Sequence, residues 1–424
     1  MDHSLTRHRA YIGKAASQLP TPSFIVSLPV IKRNIARLHQ DVADLGINFR
    51  PHVKTLKTIE VTRLMLANGK YRSIVASTLA EIRGALPLVK EGILDECLYG
   101  LPIYPGALPA LVELRKSIRI QLMVDNEQQI ACLENLAKKE TAAWDIFIKI
   151  DVGSHRAGVA TGSASLQPLV DKAEKSNAVN IVGFYCHAGH SYGGRSTTEA
   201  EKTLHDEISG VLGAARLLPS DRKLWVSIGA TPTAHVIKSL KATLPANVEL
   251  ELHAGNFPSN DLQQVSTAVV SEADQAVRVA AEVCSVYPER NEVLVNAGVV
   301  ALSRETSAFP GFGRVTDQPD WSVVRLSQEH GIIGTSQPGA NVSDAFSLGQ
   351  RVNLYCNHAC ITAAAFYVYY VVDEADTVID TWVPWKGCRV TSSNYKRVGR
   401  SFWADYVFYT ATDRNVGFEI PKGH

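Results

Sequence analysis

The chain has 424 residues, too many for one ordinary hydrophobic core, so two domains are expected. At 46% hydrophobic and 20% charged residues it reads as a soluble globular protein, and 43 Lys+Arg against 42 Asp+Glu leaves a formal charge of +1. That balance provides no basic excess to hold nucleic acid or an anionic membrane, so neither is expected as a partner.

Seven cysteines, at 97, 132, 186, 284, 356, 360 and 388, are scattered and odd in number. They argue against a disulfide framework and for a reducing compartment, so a cytoplasmic protein is expected. The N-terminal MDHSLTRHRAYIGKAASQ lacks the apolar core of a secretory signal; its Arg and Lys with few acids are a faint hint of a mitochondrial presequence.

In chain order, TPSFIVSL at 21–28 is a strand that precedes the main pattern and is free to join the second domain. From residue 47, β-rich runs alternate with helical ones: INFRPHVK (47–54), SIVAS (73–77), ECLYGLP (96–102) and IRIQLMVD (118–125), then WDIFIKIDVG (144–153), VNIVGFYCH (179–187), KLWVSIGAT (223–231) and VELELHAG (248–255). Helix starts separate them. Thr78 with Glu81 reads as a capping box, Asp125 as the N-cap before NEQQIACLENLAKK, and Thr231 as an N-cap with Pro232 in the first turn. Eight βα units predict an α/β fold, a (β/α)8 TIM barrel over residues 29–268. An open doubly wound sheet is the competing architecture, but no GxGxxG follows the first strand.

Past about residue 270 strand patterns with turn residues replace helical periodicity, which predicts a second, mostly β C-terminal domain formed by 1–28 plus 269–424. The longest uncharged run, Leu354 to Val372, contains Asn357, His358 and Thr362 and is expected to be buried sheet, not a membrane span.

Barrel active sites lie at the C-terminal ends of the strands, and unusual residues gather there. Arg50, His52 and Lys54 recur every second residue, so a strand would place them on one face with Lys54 at its end. His155 and Arg156 follow the fifth strand, His187, His190 and Tyr192 the sixth; Thr231 opens a helix after the seventh, and His253 to Asn256 end the eighth. A helix N-terminus at Thr231 and close backbone approach at Gly255 and Asn256 suit a phosphate; with Lys54 across the mouth they suggest pyridoxal 5'-phosphate held as a Schiff base. Each residue has a plainer reading: a solvated Lys54, a structural ion pair at Arg156, an ordinary Thr-Pro helix start. The conjunction carries the weight. A second signal is NHAC, in which His358 and Cys360 on a strand would share a face and suit Zn2+, with Cys356 a candidate third ligand. The competing reading is that His358 and Cys360 are simply buried; a structural zinc would need two more ligands, with Cys388 the obvious spare thiol.

With these residues in hand, the chain resembles the fold-type III, alanine-racemase-like pyridoxal-phosphate enzymes, and within them the eukaryotic D-serine dehydratases, with D-threonine aldolases as close kin. TPSFIVSLPVIKRNI, RPHVKT, DVGSHRAGV, YCHAGHSY, GATPT, HAGN and NHAC carry the resemblance. It implies Lys54 as the residue bonded to the cofactor, Arg156 near its phenolic oxygen, Tyr185 and Tyr192 around its ring, Thr231, Gly255 and Asn256 at its phosphate, and His358 and Cys360 on zinc. Cys356 stands where many relatives carry proline, and FPSND follows the HAGN turn, although Asp261 still matches. The activity implied is dehydration of D-serine to pyruvate and ammonia, with Lys54 as α-proton base and zinc activating the β-hydroxyl. A D-threonine aldolase is the nearest rival, then a racemase, then a non-catalytic pyridoxal-phosphate carrier. A homodimer acting on a small D-amino acid is implied too. Arg50, deeper, is expected to serve packing or an ion pair, and His52 to orient Lys54.

Overall fold

The helix Leu28–Leu45 shows how pattern becomes position. Ile31, Ile35, Leu38 and Val42 recur at helical spacing and are all buried, and Gly46 ends the helix in the left-handed conformation at φ 63°. Before it, Ser23–Ser27 (β1) is the strand expected to leave the main pattern. The computed structural model describes residues 5–138, 142–240 and 243–386; residues 387–424 of the expected second domain, Cys388 among them, lie outside the described residues.

Eight parallel strands follow: Asn48–Pro51 (β2), Ser73–Ala76 (β3), Glu96–Pro102 (β4), Arg119–Val124 (β5), Trp144–Asp151 (β6), Val179–Cys186 (β8), Leu224–Ile228 (β9) and Val248–Ala254 (β10), with a two-residue strand Val159–Ala160 (β7) beside β6. Their spatial order is β2-β10-β9-β8-β6-β5-β4-β3, with helices between consecutive strands. The seam between β2 and β3 is closed by one bridge, His52 to Val75, and by the Val53 amide donating to the Val75 carbonyl at 3.0 Å. The barrel is therefore almost closed.

The second sheet contains Val277–Tyr287 (β11), Glu292–Val295 (β12), Gly313–Val315 (β13), Ser322–Leu326 (β14), Gly331–Gly334 (β15), Arg351–Cys356 (β16), Tyr369–Val372 (β17) and Val378–Trp382 (β18). β12, β15, β14, β13, β16 and β11 form a closed antiparallel ring, and β1 extends it, antiparallel to β11 and parallel to β17. Phe24 of β1 packs its ring 4.9 Å from that of Tyr369. Among the described residues no helix is long and apolar enough to cross a membrane.

Several local expectations change. β2 ends at Pro51, so Lys54 stands in the turn that follows and not on a strand face. The helix Glu127–Ala137 is capped by Asn126, not Asp125, with Gln129 closing the box. The helix Thr231–His235 begins one residue earlier than expected: Ala230 is its N-cap, and the Ala230 amide is taken by the Thr233 hydroxyl. Thr78 does cap its helix, but Glu81 reaches back to the Ser77 amide. Leu354 to Val372 is not continuous sheet; the helix Ala359–Ala365 interrupts it.

Candidate active site

A cavity of about 440 Å³ opens where the barrel strands end. Of the expected cofactor residues, Lys54, Arg156, Tyr185, Tyr192, Thr231, Gly255 and Asn256 all line it, so residues spread over two hundred positions converge. Lys54, Lys149 and Arg156 bring positive charge, and among the described residues no carboxylate lines the wall. Such a cavity fits an anionic ligand of cofactor size.

The walls are built from below. Arg50 is 1% exposed on the barrel floor, where its guanidinium donates to Glu251 at 2.8 Å, Gln121 at 2.7 Å and Glu96 at 2.9 Å. It is the deep ion-pair residue the sequence suggested. Ser227 continues the network, donating to Glu251 at 2.8 Å and lying 3.0 Å from His253 Nδ1. The His253 ring stacks on Tyr185 with centroids 4.0 Å apart. The Lys54 backbone amide donates to His52 Nδ1 at 3.3 Å, and His52 Nε2 meets the Ser77 hydroxyl at 3.1 Å. His52 thus fixes the backbone of residue 54, not its amine.

Burial sets the charge states. It lowers the Lys54 amine below its ordinary value, with nearby Arg156 adding to the effect and Cys360 opposing it. Burial, then Arg156, push Lys149 down to about 8. His52, His187 and His253 are held well below the usual imidazole range by burial and neighbouring cations, so all three are neutral. Burial raises the phenols of Tyr185 and Tyr192, and Tyr192 bonds Thr231.

On the far side, the Asn256 amide donates to Thr231 Oγ1 at 3.1 Å, tying two strand-end turns together. A Cβ on Gly255 would lie 3.2 Å from His52, so backbone forms the wall there. Among the described residues Asn256 Oδ1 is a buried acceptor without a partner, an atom that a ligand's donor would satisfy.

His358 and Cys360 are not on a strand. β16 ends at Cys356, His358 is the N-cap of the helix Ala359–Ala365, and Cys360 lies in its first turn. The two side chains nonetheless bond each other, the turn achieving what strand spacing was expected to do. Burial alone would raise the Cys360 thiol, but His358, with Lys54 and Thr55, outweighs it and holds the thiol below its usual value. His358 Nδ1 lies 3.2 Å from Glu305, leaving Nε2 for an ion. Cys356 is buried and bonded to Thr362, its thiol pushed up to about 12. Among the described residues no three or more His, Cys, Asp or Glu converge as a metal cage, so this pair would leave coordination positions open. The decisive contact is Thr55 Oγ1 to Cys360 Sγ at 3.1 Å, which sets the residue next to Lys54 against the imidazole–thiolate pair.

The sequence reading passed over Lys149, Thr55 and Glu305. A lysine inside the apolar run FIKID was the available signal for Lys149; Thr55 and Glu305 gave none, because their partners lie far away in the chain.

An almost closed parallel barrel with a lysine in the turn after its first strand, followed by a β domain, defines the alanine-racemase-like class. Residues 26–244 match the family described as alanine racemase, N-terminal domain, and residues 276–372 the putative serine dehydratase domain. The chain is 44% identical to D-serine dehydratase of Schizosaccharomyces pombe over 89% of its own length and 94% of that protein, and 34% identical to D-serine dehydratase of Saccharomyces cerevisiae over 89% and 98%. Among solved structures, D-threo-3-hydroxyaspartate dehydratase from Delftia sp. HT23 superimposes with a TM-score of 0.76 at 29% identity, covering 88% of this chain and 99% of that one. The chain belongs to the D-serine dehydratase family and is a lyase.

Proposed function

We propose that the enzyme eliminates water from D-serine, giving pyruvate and ammonia, with pyridoxal 5'-phosphate held by Lys54 in the barrel cavity and zinc held by His358 and Cys360. Thr231, Gly255 and Asn256 would receive the phosphate, and Tyr185, Tyr192 and Arg156 would surround the ring. The Thr55–Cys360 contact supports this reading most, because it lets one small amino acid reach both the Lys54 amine and the metal pair. The metal-free form described for a Cys→Ala variant of the hydroxyaspartate dehydratase supports a metal role for a cysteine in a relative.

Pyridoxal phosphate, when bound, withdraws electrons from the α-carbon of an amino acid. Zinc at the pair would lower the proton affinity of the β-hydroxyl; for water the change is from ~15.7 to ~7. The rest belongs to this chain. The Lys54 amine, its proton affinity lowered by burial, would take the α-proton. His52 holds the backbone that carries it. Neutral His52, His187 and His253 line the cavity without adding charge. A homodimer belongs to the same reading, supported by the exposed apolar side chains of Leu101 and Tyr104 near the barrel mouth.

The test is to incubate purified protein with D-serine, L-serine and D-threonine and to assay pyruvate, 2-oxobutyrate and glycine, before and after chelation and zinc restoration. Chelator-sensitive pyruvate from D-serine alone among the serines is expected. Glycine from D-threonine as the main product would overturn the dehydratase assignment; chelator-insensitive pyruvate would remove zinc from it.

A further inference from the structure

Asp261 is 1% exposed and lies between the two half-sites. Its Oδ1 accepts the Gln264 amide at 3.0 Å, capping the short helix Leu262–Ser266. Its Oδ2 accepts two donors from different domains: Asn256 Nδ2 at 2.6 Å and the Ala359 backbone amide at 2.8 Å. Asn256 belongs to the turn that, with Thr231 and Gly255, faces the cavity as the anion cup. Ala359 stands between His358 and Cys360. A second tie runs alongside, from the Gln263 amide to the Asn357 carbonyl at 3.1 Å.

We propose that Asp261 couples the two half-sites, so that filling the anion cup raises the affinity of the His358–Cys360 pair for zinc, and zinc raises affinity for the phosphate-bearing ligand. The inference rests on the assignment of those two sites made above. A single buried oxygen satisfies both donors only when both turns are in place. If either turn moves, a buried carboxylate loses a hydrogen bond, and leaving such a group unsatisfied is costly. A ligand that fixes Asn256 therefore fixes Asp261, and through it the Ala359 amide and the turn carrying both zinc ligands. The second ligand then meets a turn that is already ordered. Reciprocity is a thermodynamic requirement.

The experiment uses the full-length enzyme stripped of zinc and cofactor. Zinc affinity is measured by competition with a chromophoric chelator, without and with saturating pyridoxine 5'-phosphate. That probe carries ring and phosphate but has no aldehyde to react with Lys54, so the charge on Lys54 is unaltered. Wild type is expected to bind zinc about fivefold or more tighter with the probe, the lower end of usual coupling. Asp261→Asn keeps the shape but turns one of the two acceptor oxygens into a donor, so the Gln264, Asn256 and Ala359 donors can no longer all be satisfied; the ratio is expected to fall to within about twofold of unity. Asn256→Ala, which removes one arm and leaves the Ala359 bond, is expected to reduce the ratio in the same way and stands in if D261N does not fold. Equal zinc affinity with and without probe in wild type, or an undiminished ratio in the variants, overturns the coupling. Failure of wild type to bind zinc or the probe at all overturns instead the site assignment beneath it.

Discussion

Glu207 offers a quantitative test of how the cavity wall is held. It is 0% exposed on the helix Thr197–Ala215. The Thr233 hydroxyl lies 3.2 and 3.4 Å from its two oxygens, and the Ala188 amide donates to it. One carboxyl thus ties the turn carrying Thr231 to the loop carrying His187. Burial pushes its pKa from 4.5 up to about 8, against those hydrogen bonds. The unfolded chain releases this proton near 4.5 and the folded protein keeps it to about 8, so this contribution to stability is complete below 4.5 and is lost as pH rises through about 8. At pH 7 the loss is two and a half units at ~1.36 kcal/mol each, about 3 kcal/mol. Glu207→Gln removes the titration. Chemical denaturation across about pH 5 to 9 should show the variant gaining on wild type by up to ~1.4 kcal/mol per unit until about pH 8, then running parallel. The change in slope is diagnostic, since a lost hydrogen bond shifts the variant by a constant amount. Parallel curves over the whole range would refute a protonated, buried Glu207.

Arg50→Met should destabilise the barrel by about 3–5 kcal/mol in denaturant melts, because Glu251 and Glu96 lose their buried cation, and adding Glu251→Gln should restore part of it; a loss under about 1 kcal/mol would mean the floor network is dispensable. Gly183→Ala drives a methyl group into the Trp225 carbonyl oxygen of the neighbouring strand, so a loss of about 1–3 kcal/mol is expected by the same assay. Lys54→Ala should abolish the visible absorbance of bound cofactor, and unchanged absorbance would show that another lysine holds it. Cys360→Ser should abolish stoichiometric zinc, read by emission spectroscopy, with an unaltered far-ultraviolet circular dichroism spectrum.

The barrel was legible because its strands are short apolar runs at regular intervals, buried on both faces as parallel strands are. What the sequence hid was local geometry. Arg50, His52 and Lys54 alternate as a strand would, yet Pro51 ends the ladder and Lys54 belongs to the turn. NHAC looked like strand because it follows one, whereas the alanines after Cys360 are strong helix formers and start a helix at Ala359. Asn126 and not Asp125 is the cap because its Oδ1 accepts the Gln128 amide, while the Asp125 carboxylate is engaged by Gln129 Nε2 and the Gly158 amide. The convergence of the cavity residues followed from the rule that barrel sites gather at strand ends. The contacts of Thr55 with Cys360 and of Glu305 with His358 could not follow from any rule of spacing, since they join segments 305 and 53 residues apart in the chain.

The placement of β1 bears on how the chain is made. Its partners, Val277 to Ala280 on one side and Tyr369 to Val372 on the other, are synthesised long after it emerges. Until then the segment Ser23–Ser27, nearly all of it destined for burial, has both hydrogen-bonding edges bare while the barrel assembles behind it. Nascent protein should therefore depend on protection of this segment at the ribosome until the carboxyl-terminal half arrives to enclose it.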